Sequence, residues 1–169
     1  MSLADWLSRL EHGPRGGISL GLDRVRILAS RLGIGFECPV ILVGGTNGKG
    51  STCAMLESIY RQAGLRTGLF TSPHLISFRE RIQMDRNLIS QPEVVALLEE
   101  IRPWLREFSE DHHPTFFEVV TVMALMHFAR QRCDLVIWET GMGGRLDATN
   151  IVTPLASVIT NIGYDHMQW

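Results

Sequence analysis

Val40, Ile41, Leu42 and Val43 run directly into Gly44-Gly45-Thr46-Asn47-Gly48-Lys49-Gly50-Ser51-Thr52, and this junction constrains the chain more than any other stretch. The apolar run reads as a buried strand, the glycine-dense segment as a turn, and the residues after it as a helix start. Glycines let successive backbone N–H groups converge on one point, the helix presents its positive end there, and the Lys49 ammonium can follow terminal phosphates. The layout predicts a nucleoside triphosphate as ligand. It departs from the common phosphate loop in two places. Val43 stands where the first glycine is usual, and Gly50 follows the lysine where a hydroxyl is usual, which moves the hydroxyls to Ser51 and Thr52.

Ala54, Leu56, Ile59 and Tyr60 carry the helix to Ala63-Gly64, and Thr67-Gly68-Leu69-Phe70-Thr71 reads as the next strand. Strand, helix and strand within about thirty residues form a βαβ unit, which predicts a parallel sheet with chemistry at the C-terminal ends of its strands. Asp134-Leu135-Val136-Ile137-Trp138-Glu139 is a further apolar strand that ends in a carboxylate, and Leu155 to Thr160 is another, running into Asn161-Ile162-Gly163-Tyr164-Asp165-His166. A phosphate loop and an acid at one sheet edge is how triphosphate enzymes hold magnesium, so Glu139 is a candidate ligand. Ser72 leaves the sheet beside the phosphate loop, where its hydroxyl could reach the same ion. The Gly141-Met142-Gly143-Gly144-Arg145 run lets backbone approach a ligand closely.

The remaining segments read mostly as packing. Leu3, Trp6, Leu7 and Leu10 predict a one-faced helix ending near Gly13-Pro14. Leu22, Val25, Leu28, Ala29 and Leu32 predict a second, with Arg24 and Arg26 in solvent. Residues 91–109 predict a helix with Val94, Val95, Leu97, Leu98 and Ile101 inward and a break or kink at Pro103. Thr115-Phe116-Phe117-Glu118 opens a nearly all-apolar helix through Ala129, and Thr-x-x-Glu at its start is a capping box. His112 and His113 read as a polar loop, His127 as a satisfied core residue, and the Arg79-Glu80-Arg81 alternation as a solvated face.

Composition narrows the partners. A formal charge of −2 with no Lys/Arg block argues against nucleic acid or an anionic membrane. The longest apolar stretch, Val119 to Met126, is too short to span a bilayer, and the N-terminus has no basic flank with an apolar core, so the expected compartment is the cytoplasm. Cys38, Cys53 and Cys133 are too far apart in sequence for a local metal knuckle and fit reduced, mostly packed thiols.

Taken together, Gly45-Thr46-Asn47-Gly48-Lys49-Gly50-Ser51, Thr71-Ser72-Pro73-His74-Leu75, the run from Glu139-Thr140-Gly141 to Asn150, and Asn161-Ile162-Gly163-Tyr164-Asp165-His166 resemble bacterial folylpolyglutamate synthase/dihydrofolate synthase, a branch of the Mur ligase superfamily. The resemblance runs over essentially the whole chain, Gly21-Leu22-Asp23-Arg24-Val25 included. It accounts for the unusual phosphate loop, whose Gly-Thr-Asn-Gly-Lys-Gly-Ser form is that family's own. It implies an α/β fold of P-loop NTPase type, mostly parallel with helices on both faces, corresponding to the Mur ligase central ATP-binding domain and incomplete at the C-terminus.

The implied activity is ATP-dependent amide formation in folate biosynthesis. ATP phosphorylates a carboxylate of dihydropteroate or a folate, and L-glutamate displaces the phosphate. By position, the resemblance assigns the phosphates to Thr46, Asn47, Gly48, Lys49, Gly50 and Ser51, a first magnesium to Ser72 and Glu139, and a second to His166. Thr115, Phe116, Phe117, Glu118, Leu146, Asp147 and Ala148 would line a pterin pocket, with Phe116 or Phe117 offering a face for stacking. The family continues past His166 with a second-metal lysine, adenine contacts and a C-terminal domain. Residues 1–169 are therefore expected to be the N-terminal part of the ATP-binding domain, from a parent that is a monomer, with an unfinished sheet edge open to self-association. A small P-loop kinase and a non-catalytic nucleotide- and pterin-binding module are the alternatives.

Overall fold

The structure is a computed structural model and describes residues 19–165. The helix expected at Leu3–Leu10 and the candidate metal ligand His166 lie outside the described residues.

The phosphate-loop junction folds as its pattern dictates. Strand β1 (Val40–Gly44) leads into the loop, and helix α2 (Lys49–Gln62) leaves it; the preceding helix α1 spans Asp23–Arg31. Strand β2 (Thr67–Phe70) follows, then a short hairpin of β3 (Ile82–Met84) and β4 (Asn87–Leu88). Helix α3 (Gln91–Leu105), helix α4 (Phe116–Gln131), strand β5 (Leu135–Glu139) and strand β6 (Ala156–Ile159) complete the order.

The sheet order is β4-β3-β2-β5-β1-β6, with β2, β5, β1 and β6 parallel and the β3–β4 edge antiparallel. The strands β1 and β2 of the sequence-level βαβ unit are not neighbours, because β5 inserts between them. A strand buried on both faces belongs in the middle of a parallel sheet, and β5, apolar up to its terminal Glu139, is buried at every position. The hairpin was not anticipated. Its strands are too short for an alternating signal, and its turn rests on Asp85 and Arg86 at φ 49° and 67°, the paired left-handed geometry that joins two-residue hairpins. That turn is tied to α2 through the fully buried Glu57, which meets Arg86 at 3.1 Å, Arg61 at 3.0 Å and the Thr67 hydroxyl at 2.8 Å.

Alternation along β1 sorts two cores. Ile41 and Val43 join Leu69, Leu135, Ile137 and Cys53 of α2 on one face. Val40 and Leu42 join Phe70, Val136 and Trp138 on the other, under α1, α3 and α4. Helix α4 is buried along almost its whole length, between the sheet and the other two helices, which is why its sequence is apolar all round. Phe70 stacks on Trp138 with centroids 4.4 Å apart, and Phe128 meets Trp138 edge-on.

Three packing expectations need correction. Val95 is 40 % exposed rather than inward, and α3 ends at Leu105, two residues past Pro103, which lacks the N–H to continue the ladder. Arg24 is not solvated but pairs with the buried Glu118 at 3.0 Å. Arg81 is buried as well: its Nε donates to His74 Nδ1 at 2.9 Å, and its guanidinium lies over the Phe116 ring. Glu80 accepts the N–H groups of Leu75, Ile76 and Ser77, so the alternation there builds a loop rather than a wet face. As expected, His127 is a core residue, and burial lowers its pKa despite Glu93 nearby.

Candidate active site

The parallel strands place three C-terminal ends side by side, with β1 between β5 and β6. The phosphate loop leaves β1, Glu139 closes β5, and Thr160 and Asn161 follow β6. Gly48, at φ 80°, caps α2, so the first turn of that helix directs its unpaired N–H groups into the loop. Lys49 Nζ donates to the carbonyls of Gly45 and Thr46 at 2.8 and 3.1 Å, which holds the ammonium over the same turn.

The loop is fastened to the segment after β6. Asn161 accepts twice, its carbonyl from the Thr46 N–H at 2.9 Å and its Oδ1 from the Asn47 N–H at 2.8 Å. The Thr160 hydroxyl donates to the Asn47 carbonyl at 2.7 Å, and the Gly163 N–H donates to Thr46 Oγ1 at 2.9 Å. Gly45 sits at φ 132°, where a Cβ would run into the Thr160 hydroxyl and the Asn161 backbone. Of the residues assigned to phosphate, Thr46 and Asn47 thus spend their amides on Asn161. The amides with no partner inside the helix are those of its first turn, Lys49, Gly50 and Ser51.

Glu139 is 3 % exposed and accepts the Ser72 N–H at 2.8 Å. Burial pushes its carboxyl above the usual glutamate range, opposed by that hydrogen bond and by Lys49 and Arg81. The carboxylate faces Gly50: a Cβ there would stand 3.6 and 3.9 Å from the two carboxylate oxygens. Helix N-terminus, lysine, Ser72 and a desolvated carboxylate are therefore gathered at one point. Among the described residues no group of three or more His, Cys, Asp or Glu side chains stands together. One carboxylate is a donor set that suits magnesium, which takes its remaining ligands from water and substrate phosphates.

The residues assigned to the pterin divide. Thr115 and Glu118 form the capping box of α4, with the Thr115 N–H donating to Glu118 Oε2 at 2.7 Å, and Arg24 completes the pair. Asp147 is buried, accepting the N–H groups of Met142 and Thr149, and Ala148 opens a short 3-10 turn over residues 148–151 in the core. Phe116 packs under Arg81 and edge-on to Phe78. Phe117 is half-buried, with its ring where a Cβ on Gly141 would stand, and Asp147 reaches the same spot. Of the two rings, Phe117 is the one beside the glycine run.

A cavity of about 700 Å³ opens along this edge, lined by Gly45, Thr46, Lys49, Gly141, Leu146 and Val158 among others. Thr46, Lys49 and Leu146 of the assigned residues line it. Ser72, Glu139, Thr115, Phe116, Phe117, Glu118, Asp147 and Ala148 do not. Sequence reasoning missed Asn161, Thr160, Arg24 and Arg81. The first two could have been found by asking which residues follow the strand beside β1. The two arginines carry no local signal for burial: Arg24 pairs with Glu118, 94 residues away, and Arg81 lies against Phe116 as well as the nearby His74.

The Mur ligase middle domain family matches residues 43–169. The dihydrofolate synthase/folylpolyglutamate synthase of Escherichia coli is 44% identical over 168 residues, covering 99% of this chain and 39% of the relative. The structure of E. coli FolC in complex with DHPP and ADP superposes with a TM-score of 0.91 at 44% identity, over 100% of this chain and 40% of that one. The bifunctional folylpolyglutamate synthase/dihydrofolate synthase of Yersinia pestis, complexed with AMPPNP and Mn ion, gives 0.88 at 42% identity, over 100% and 40%. The chain thus spans about two fifths of the length of the relatives it matches. No helix among the described residues is long and apolar enough to cross a membrane.

Proposed function

Because this chain belongs to the Mur ligase middle domain family, we propose that it is the nucleotide-holding part of an ATP-dependent ligase that joins L-glutamate to dihydropteroate, to a folate, or to both, releasing ADP and phosphate. The observation that carries this reading is the buried Glu139 carboxylate facing Gly50 at the mouth of the phosphate loop. A desolvated acid beside a lysine and a helix N-terminus suits a cation brought in with a triphosphate. The relatives in which ADP, AMPPNP and Mn are bound support the same ligands here.

The reaction must bring an acceptor carboxylate against a triphosphate, two groups that repel. The first-turn amides of α2 and the Lys49 ammonium counter that repulsion at the transferring phosphoryl group. Asn161 and Thr160 keep the loop in the shape that aims those amides. Ser72 and Glu139 would hold magnesium, which supplies further positive charge at the phosphates. Phe117 offers the face beside Gly141 against which a flat heterocycle can lie, and Leu146 lines the adjoining cavity. Substrates of this kind are small soluble molecules, in keeping with an enzyme of the cytoplasm.

Two titrations test the reading. Magnesium-ATP should bind this chain, and Lys49→Ala should abolish most of that affinity; unchanged affinity in the variant would sink the phosphate-loop assignment. In the full-length protein, ADP release should require both a pterin acceptor and L-glutamate. Release that ignores the pterin would point to a kinase instead.

A further inference from the structure

At the end of the sheet opposite the phosphate loop, Cys38 precedes β1 and Cys133 precedes β5, neighbouring strands of the parallel sheet. The two sulfurs lie 3.6 Å apart, although 95 residues separate them in sequence. The Val136 N–H donates to the Pro39 carbonyl at 2.9 Å, and the Cys38 thiol lies against the Cys133 carbonyl, so backbone bonds hold the two segments in register. Both thiols are free; Cys38 is half-exposed and Cys133 is buried. Closing the gap to a disulfide requires about 1.5 Å of sulfur movement, within reach of side-chain rotation.

We propose that Cys38 and Cys133 are a built-in modification site, an oxidisable dithiol that closes to a disulfide between the central strands when the protein meets a peroxide. Cys38 is the sulfur that reacts first, because it is reachable by solvent. Its hydrogen bond with Cys133 lowers its pKa, whereas the bond with Cys38, and then burial, push Cys133 up. The Cys38 thiolate attacks one oxygen of hydrogen peroxide, the O–O bond breaks, and hydroxide leaves to take up a proton as water. Cys133 then attacks the Cys38 sulfenic sulfur, the S–O bond breaks, and hydroxide leaves with the Cys133 proton as a second water. Two thiols are oxidised and one peroxide is reduced to two waters. Cys53, a fully buried residue of α2 with its pKa raised by that burial, is the internal control that should stay reduced.

The link would close a long loop at the end of the sheet remote from the phosphate loop, so it should stabilise the fold and leave nucleotide binding intact. The test treats the chain with hydrogen peroxide and reads it by peptide mass mapping without reduction, by non-reducing electrophoresis and by thermal unfolding. The expected result is a cross-linked pair of peptides carrying Cys38 and Cys133, in monomeric protein that retains the Cys53 thiol. Its midpoint should be higher by on the order of 5–15 °C, reversed by dithiothreitol. Cys133→Ser should abolish the link and leave Cys38 as a sulfenic acid that dimedone traps; Cys38→Ser, at the more exposed position, should abolish it too. Oxidation of Cys38 beyond the sulfenic stage in the wild type with no cross-link, or a link with no gain in midpoint, would overturn the proposal.

Discussion

Replacing Glu139 by Gln should move stability and ligand binding in opposite directions. The carboxylate is 3 % exposed, and burial is the largest influence on it, raising its pKa above the ordinary value of 4.5. A raised pKa means that the folded state binds this proton more tightly than the unfolded state does. The stability tied to it is therefore present in full below the unfolded value and is lost as pH rises through the folded one. Glutamine keeps an oxygen for the Ser72 N–H and removes the buried charge, so the ligand-free variant should unfold at higher temperature than wild type at neutral pH. That advantage should shrink to nothing as pH falls below about 4.5. With magnesium-ATP the order should reverse. At a hundredfold excess over its Kd the ligand stabilises wild type by about 2.7 kcal/mol, or roughly 5–11 °C for a chain of this size. Even outer partners of metal sites account for about 10–100-fold in affinity, so loss of a direct ligand should weaken binding about a hundredfold. The same ligand concentration then adds only about 0.4 kcal/mol. Differential scanning fluorimetry at several pH values, with and without magnesium-ATP, reads both effects. A variant less stable than wild type at neutral pH would show that the hydrogen bond and the cations outweigh burial. A full ligand-induced shift in the variant would remove Glu139 from the metal site.

Two further substitutions separate loop order from core stability. Asn161→Ala removes the acceptor for the Asn47 N–H, a bond worth about 1 kcal/mol, so nucleotide affinity measured by calorimetry should fall about fivefold with little change in midpoint; unchanged affinity would mean the loop holds its shape without Asn161. Arg24→Ala strips Glu118, 2 % exposed, of its cation and should destabilise by about 3 kcal/mol in urea unfolding, with part of the loss restored in Arg24→Ala/Glu118→Gln. A single variant within about 0.5 kcal/mol of wild type would refute the buried-pair reading.

The elements legible in the sequence were those whose signal is local. Val40–Val43 and Leu135–Glu139 read as strands because apolar runs between turn signals have few other uses, and Thr115–Glu118 read as a helix start because a capping box closes within four residues. What stayed hidden depends on distance along the chain. The insertion of β5 between β1 and β2 is a choice among right-handed crossovers that no local pattern decides. Arg24 and Glu118 are 94 residues apart, and Asn47 and Asn161 are 114. Neither side of such a pair shows, by itself, that its polar group is answered. The capping box of Thr115 and Glu118 was legible and competes with their pocket assignment, whereas the Met142 and Thr149 amides that occupy Asp147 show only in the fold.

The two departures from the common phosphate loop have one geometric origin. Val43 is still inside β1, paired to Glu139 on one side and Val158 on the other, and it is fully buried in the α2 core. A glycine there would forfeit packing at the centre of a parallel sheet; Gly44 too is still paired in β1, to Ile159, so the chain leaves the sheet only at Gly45. The helix then starts with Lys49-Gly50, and its second residue falls directly opposite the acid that ends β5. A serine or threonine at position 50 would project its hydroxyl into the space in front of a desolvated carboxylate, where a cation would stand. Glycine leaves that space open, while Ser72, just past the end of β2, meets the carboxylate through its backbone N–H. The carboxylate proposed to hold the metal thereby stands on β5, the strand beside β1, which ties the geometry of the site to the order of the sheet.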